Sequence, residues 1–127
     1  MNRHAILLRT ILLALAGHVA TGADLYVSPQ GNDAWTGTLH KPNQTGTDGP
    51  LASLAGARDA IRKLKAAGPV TVQVRGGIYQ VTQTLKLGPE DAGSPQAPIV
   101  WRAYENEKVI LTGSLPVSGF KPWRGKI

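Results

Sequence analysis

Beyond residue 23 the sequence carries eight carboxylates: Asp24, Asp33, Asp48, Asp59, Glu90, Asp91, Glu105 and Glu107. Cutting a glycosidic bond generally takes two such groups, an acid and a nucleophile or base, held about 5 to 10 Å apart across one sugar. Glu90 and Asp91 are adjacent within the stretch GPEDAGSP, and neighbours in a Gly- and Pro-rich loop rarely face opposite sides of one ring, so they read as turn formers. An elimination reaction would need a Lys or Arg base beside a calcium site of about six to eight oxygens. Asn32, Asp33, Thr47 and Asp48 offer a few oxygens, but their spacing is not that of an EF-hand loop, and the metal ligands stay unknown. Arg75, ahead of Gly76-Gly77, is read as a turn-flanking cation that binds backbone carbonyls rather than as a sugar ligand.

His40 is the one histidine past residue 23, and cysteine is absent. A Ser-His-Asp or Cys-His arrangement would have to be built in a Pro-flanked loop, and zinc lacks a second imidazole or any thiolate. No GxxxxGK[ST] phosphate loop occurs. These residues call for no cofactor. Asn43-Gln44-Thr45 is a formal glycosylation sequon. Trp35, Tyr79, Trp101, Tyr104 and Trp123 are aromatic candidates for stacking on sugar, although core or anchor duty is the commoner use of such side chains.

The chain opens with Arg3 and Arg9, then the apolar run Ile11 to Ala16, then the small residues Ala20 to Ala23, the order of a secretory leader. Residues 1–23 are therefore expected to be a signal peptide, with the mature chain starting at Ala23 or Asp24 and residing outside the cell or in the periplasm. A spanning helix needs about 20 apolar residues, and Arg9 and His18 bracket a shorter run, so no membrane partner is expected after cleavage. Losing Arg3 and Arg9 lowers the formal charge from +6 to +4. The remaining cations are dispersed without interleaved aromatics, which argues against nucleic acid. Without disulfides, a chain this short and this rich in Gly and Pro has little core to draw on.

Leu25-Tyr26-Val27-Ser28 alternates as a short strand and runs into the turn cluster Pro29 to Asp33. Residues 34–50 show no hydrophobic period and read as surface loop, pinned by Trp35 and Leu39. Ser53 is a candidate N-cap for a helix with Leu54, Ala57, Ile61 and Leu64 on one face. Arg58, Asp59, Arg62, Lys63 and Lys65 fall mainly on the other, with Asp59 and Lys63 one turn apart. That basic face is the solvated side of an ordinary surface helix. Gly68-Pro69 ends it. Strands are then expected at Val70–Val74, Ile78–Val81, Thr84–Leu87, Ile99–Tyr104 and Val109–Leu111.

Strand, turn, strand and loop repeat once, at offsets of 29 residues from Val70 to Ile99 and 24 from Leu85 to Val109. Such periods mark stacked repeat folds. An antiparallel sandwich or barrel is the alternative, though the two-residue Asn-Gly or Asp-Gly hairpins it favours are missing. One early helix suits the capping of a solenoid's open end.

The blocks LYVSPQGNDAWTGT, GPLASLAGARDAIRKLK and VTVQVRGGIYQVTQTLKLGPEDAGSPQAPIVWRAYENEKVILTGS together resemble the opening of right-handed parallel β-helix, pectate-lyase-like proteins. The likeness is greatest to β-helix glycoside hydrolases of the family 141 type. It implies a mainly β solenoid: a cap over residues 24–69 of strand, loop and one helix, then the first one or two coils over 70–127. It further implies a carbohydrate-active parent, hydrolase before lyase, with a non-catalytic surface protein as the other class. In those families the catalytic carboxylates lie on later coils, so no catalytic residue carries over. The polysaccharide would be met by a part missing beyond Ile127, and the chain, read as truncated, would be inert and marginally stable alone. Amino-terminal sequencing of exported protein is expected to read from Ala23 or Asp24.

Overall fold

The computed structural model describes residues 22–64 and 68–125. The leader expectation for residues 1–21, and Lys65, lie outside the described residues. The elements are β1 (Ala23–Val27), α1 (Leu54–Leu64), β2 (Val70–Val74), β3 (Gly77–Gln80), β4 (Ile99–Ala103) and β5 (Val109–Thr112), with a short 3-10 turn at Pro89–Asp91. The chain is thus mainly β with a single described helix. No described helix is long and apolar enough to cross a membrane.

Every pairing between these strands is parallel. One sheet runs β1-β2-β4 and the other β3-β5, which removes the antiparallel sandwich for the described residues. Val70 stands opposite Ile99, so the 29-residue offset expected from sequence is the actual register. The 24-residue offset is not: Val109 pairs with Gly77, 32 residues away, and Thr84–Leu87 forms no strand. Thr84, Lys86 and Leu87 are exposed there. Alternation alone supplied that expectation, and a strand without a partner for its backbone is not stable.

The difference between 29 and 32 comes from the turns. Two residues, Arg75 and Gly76, separate β2 from β3, whereas 104–108 separate β4 from β5. The longer turn passes through Glu105 and Asn106 at positive φ, 43° and 67°. The strand starts are equivalent: the N–H of Ala23 donates to Pro69 O and that of Val70 to Pro98 O, each at 2.9 Å. A proline at the residue before a strand gives up only a donor the ladder does not use there.

The alternating valines of β2 explain the core. Ala23, Val70 and Ile99 stack as one row, Leu25, Val72 and Trp101 as the next. Leu25, Val27, Val70, Val72 and Val74 are buried together with Leu51, Ala57, Ile61 and Tyr79. Helix α1 lies against this core with Ala57 and Ile61, while Leu54 is partly buried and Leu64 faces solvent.

Ser53 caps α1 as expected, its Oγ accepting from Gly56 N at 2.9 Å. The cap is itself held by Asp33, which accepts from Ala52 N, Ser53 N and Ser53 Oγ at 2.7 to 2.9 Å. Gly56 is required because the Asp33 carboxylate occupies the space a Cβ would need. Asp59 pairs with Arg58 at 2.8 Å rather than with Lys63. The Gly-rich loop before α1 closes the outer edge of β1, with Tyr26 N donating to Gly37 O and Leu51 N to Tyr26 O. Trp35 packs on Gly49 in that loop, whereas Leu39 is 38% exposed and does not anchor it.

The two sheets are joined by Tyr79. Its hydroxyl lies 2.8 Å from Arg75 O and 3.1 Å from Val27 O, sharing one proton between two carbonyls. Burial, partly offset by Arg75, pushes its ionisation up to about 12, so it stays a donor. Tyr79→Phe is expected to cost about 1–2 kcal/mol by taking this donor from Arg75 O, while Val27 O keeps the N–H of Arg75. Urea denaturation measures this, with Val100→Ala, on an exposed side chain, close to wild type.

Candidate functional site

The longer turn after β4 carries Glu107 back over the short turn after β2. Arg75 Nε and Nη2 donate to Glu107 Oε2 and Oε1, each at 2.9 Å, and Gly76 N also donates to Oε2. The remaining arm of the guanidinium, Nη1, donates to His40 O at 2.6 Å. Arg75 therefore holds one carbonyl, as expected, but its main partner is a carboxylate. The same guanidinium lies 4.9 Å from the centre of the Tyr104 ring, a favourable cation–π distance.

Around this node three rings gather. Tyr26 meets His40 and Tyr104 edge-on at 6.1 and 5.8 Å between centroids, and His40 lies nearly parallel to Tyr104 at 6.2 Å. Tyr26 belongs to the outward row of β1, in register with Gln73, and Gln73 in turn with Arg102. Arg102 Nε donates to Gln73 Oε1 at 3.1 Å. Beside the node lies a cleft of about 390 Å³, walled by Pro29, Pro42, His40 and Lys41 on one side and by Arg75, Glu107 and Lys108 on the other.

A broader groove of about 940 Å³ runs along β3 and β5, between the start of α1 and residues 81–85. Ile78, Ile110, Thr82, Thr84 and Thr112 line it, and Arg58 is its ionisable side chain apart from Tyr79. Arg58 is spoken for by Asp59 and by Lys86 O. The groove thus offers shape and hydroxyls, while the cleft offers charge.

The carboxylates weighed from sequence are dispersed into structural duties. Asp33 holds the helix cap. Asp48 accepts from Thr36 N, Thr36 Oγ1 and Gly49 N at 2.8 to 3.0 Å. Asn43 Oδ1 takes Thr47 N and Asp48 N, so the sequon asparagine organises its own loop. Asn32, Asp33, Thr47 and Asp48 accordingly serve two separate loop networks. Among the described residues no group of three or more His, Cys, Asp or Glu side chains could hold a metal ion. Glu90 and Asp91 sit in the 3-10 turn Pro89–Asp91, where Asp91 accepts from Gly88 N, as expected of turn formers, and both also pair with Arg62, at 2.9 and 2.6 Å. Of the aromatics, Tyr79 is core and Trp101 is packed against it, but Trp123 is 80% exposed.

Hydrogen bonds from Arg75 and then from Gly76 hold Glu107 below the usual carboxylate range. Thr36 does the same for Asp48, and the Arg62 and Gly88 donors bring Asp91 down to about 2. A general acid needs the opposite shift, so none of these three is poised as one. The Arg75–Glu107 node was not legible as a pair in the sequence. The available signal was the three-residue excess of the second turn, which places an acidic residue above Arg75.

No known family's sequence profile matches the chain. It is 38% identical over 91 residues to pectate lyase PEL9 of Emericella nidulans, covering 72% of this chain and 18% of that protein. It is also 38% identical over 98 residues to the uncharacterized protein YwoF of Bacillus subtilis, covering 77% and 17%. A solved glycoside hydrolase matches with a TM-score of 0.68 and 29% identity over 80% of this chain and 17% of its own. A relationship to pectate-lyase-like proteins and glycoside hydrolases is shown. The chain spans under a fifth of the length of the curated relatives it matches.

Because Asp91 and Glu107 have depressed folded-state values, the stability they supply is present above their ordinary range, near 3.8 and 4.5, and is lost as pH falls through the folded values. Melting temperature is expected to drop between about pH 4 and 2. Asp91→Asn and Glu107→Gln should each flatten that acid limb, as thermal scans across pH would register.

Proposed function

We propose that this chain forms the cap and first coils of a right-handed parallel β-helix, of the family 141 glycoside hydrolase type, within an exported enzyme acting on plant or algal polysaccharide. The observation that carries the reading is the pair of parallel ladders advancing by 29 and 32 residues per rung, a spacing suited to one coil of such a helix. The 38% identity to a protein named pectate lyase and the likeness to a glycoside hydrolase support the substrate class.

Hydrolysis is the first reading, on the structural likeness. Pectate-type elimination is the second, favoured by the sequence identity to pectate lyase PEL9. In either reading the chain by itself is taken as inert; Asp48, Asp91 and Glu107 are tied to structural donors, and none of the three is poised as a general acid. Substrate contact and catalysis belong to further coils of a longer product. Export by a cleaved leader fits the fold at one point: β1 begins at Ala23, whose N–H donates to Pro69 O, so a cut after Gly22 leaves the ladder whole.

The test is an assay of the full-length gene product on fucosides, xylans and pectins. New reducing ends without ultraviolet absorbance indicate hydrolysis, and an absorbing unsaturated uronide indicates elimination. Turnover of none of these glycans would sink the enzyme reading and favour a non-catalytic surface protein. The 127-residue chain is expected to be inactive on all three.

A further inference from the structure

We infer that the free edge of β5 is a self-association surface, on which a second copy of the chain pairs antiparallel with Leu111 opposite Leu111 across a two-fold axis. The inference goes beyond the carbohydrate reading and requires no substrate.

The register decides which backbone groups are unused. Gly77 N donates to Lys108 O at 3.0 Å and Val81 N to Thr112 O at 2.8 Å, at the two ends of the β3–β5 ladder. In a parallel pair each strand turns its N–H and C=O toward the partner at every second residue, so Ile110 and Thr112 face β3. Val109, Leu111 and Gly113 point theirs the other way, where no strand lies among the described residues. Turned antiparallel about Leu111, β5 and its copy set Val109, Leu111 and Gly113 against Gly113, Leu111 and Val109. Each opposed pair exchanges two hydrogen bonds, and every edge-facing group finds a partner. Turning about Ile110 instead would set Gly113 against Glu107, whose N–H is already taken by Tyr104 O.

Side chains favour the same pairing. Leu111 stands in register with Tyr79, which is 6% exposed, yet is itself 55% exposed because nothing continues that row of the core among the described residues. Its own copy does. Ile110 falls opposite Thr112 and Lys108 opposite Ser114, so no like charges meet, and β5 carries no charge of its own. The β4 edge is less suited: Arg102 sits within the strand, and the Gly93–Pro98 bridge closes a hairpin at its start. An uncharged, apolar open edge is the usual template for pairing between chains. A two-fold contact uses that edge up, so association stops at two copies. In a longer product a further rung would occupy the same edge, so the pairing is a property of the 127-residue chain.

The chain lacks cysteine, so paired substitutions read the register directly. Oxidised Ile110→Cys/Thr112→Cys protein is expected to run as a covalent dimer on non-reducing gels, because these positions oppose one another between the hydrogen-bonded pairs, while either single variant stays monomeric there. By light scattering the unmodified chain should weigh twice 13.4 kDa. Leu111→Lys and Leu111→Glu should each raise the dimer's dissociation constant on the order of tenfold by opposing like charges, and an equimolar mixture of the two should restore the dimer. Should either of these variants unfold by circular dichroism, the cysteine pattern decides alone. A monomeric chain, oligomers larger than a dimer, a single-cysteine variant that crosslinks as fully as the double, folded Leu111 variants that associate undiminished, or a mixture that fails to recover would each overturn the surface. None of these outcomes touches the glycan assay, so the enzyme reading stands or falls separately.

Discussion

The parallel register of β2 between β1 and β4 is the constraint on which the other features rest. Because Val70, Val72 and Val74 face one side at every second position, the strands on either side must present apolar residues at the same height, and they do so with Ala23, Leu25 and Val27 and with Ile99, Trp101 and Ala103. A slip of one residue would turn the whole set outward. That register fixes where each turn begins, so it also fixes that Tyr104 follows β4 at the height of Arg75, and that any residues added to the second turn must fold over the first. The ion pair, the ring cluster and the cleft are consequences of strand alignment.

Polar side chains serve this frame in a consistent way. Carboxylates sit where backbone donors would otherwise be unpaired: Asp33 at the start of α1, Asp48 in the loop that closes β1, Asp91 at Gly88 and Glu107 at Gly76. Small domains without disulfides have few other means of fixing long irregular segments. Each of these anions pins a piece of chain lacking regular structure, which is why their ionisation and the fold are linked.

Much of the fold was readable from the residues. The helix from Leu54, its Ser53 cap and the Val70-to-Ile99 spacing follow from periodicity and capping chemistry that act locally. The expectation of a strand at Thr84–Leu87 failed because alternation describes a surface and says nothing of a partner. The expected anchoring by Leu39 and the Asp59–Lys63 pair failed for a related reason, since competing neighbours, Gly37 with Leu51 and Arg58 with Asp59, are set by tertiary placement. The cleft was hidden for the same cause: His40 and Lys41 lie some thirty-five residues from Arg75 in sequence, and only the loop's closure over β1 brings them there.

The two borders of the three-stranded sheet are unlike. On the β1 side the backbone groups of Tyr26 and Ser28 are already satisfied by Gly37 and Leu51, whereas β4 has no further strand beyond it among the described residues and carries Val100 exposed. The molecule therefore has a polarity like that of a filament with one blocked and one growing tip. In that three-stranded sheet the open backbone edge, where an added strand could pair, is therefore the one on β4.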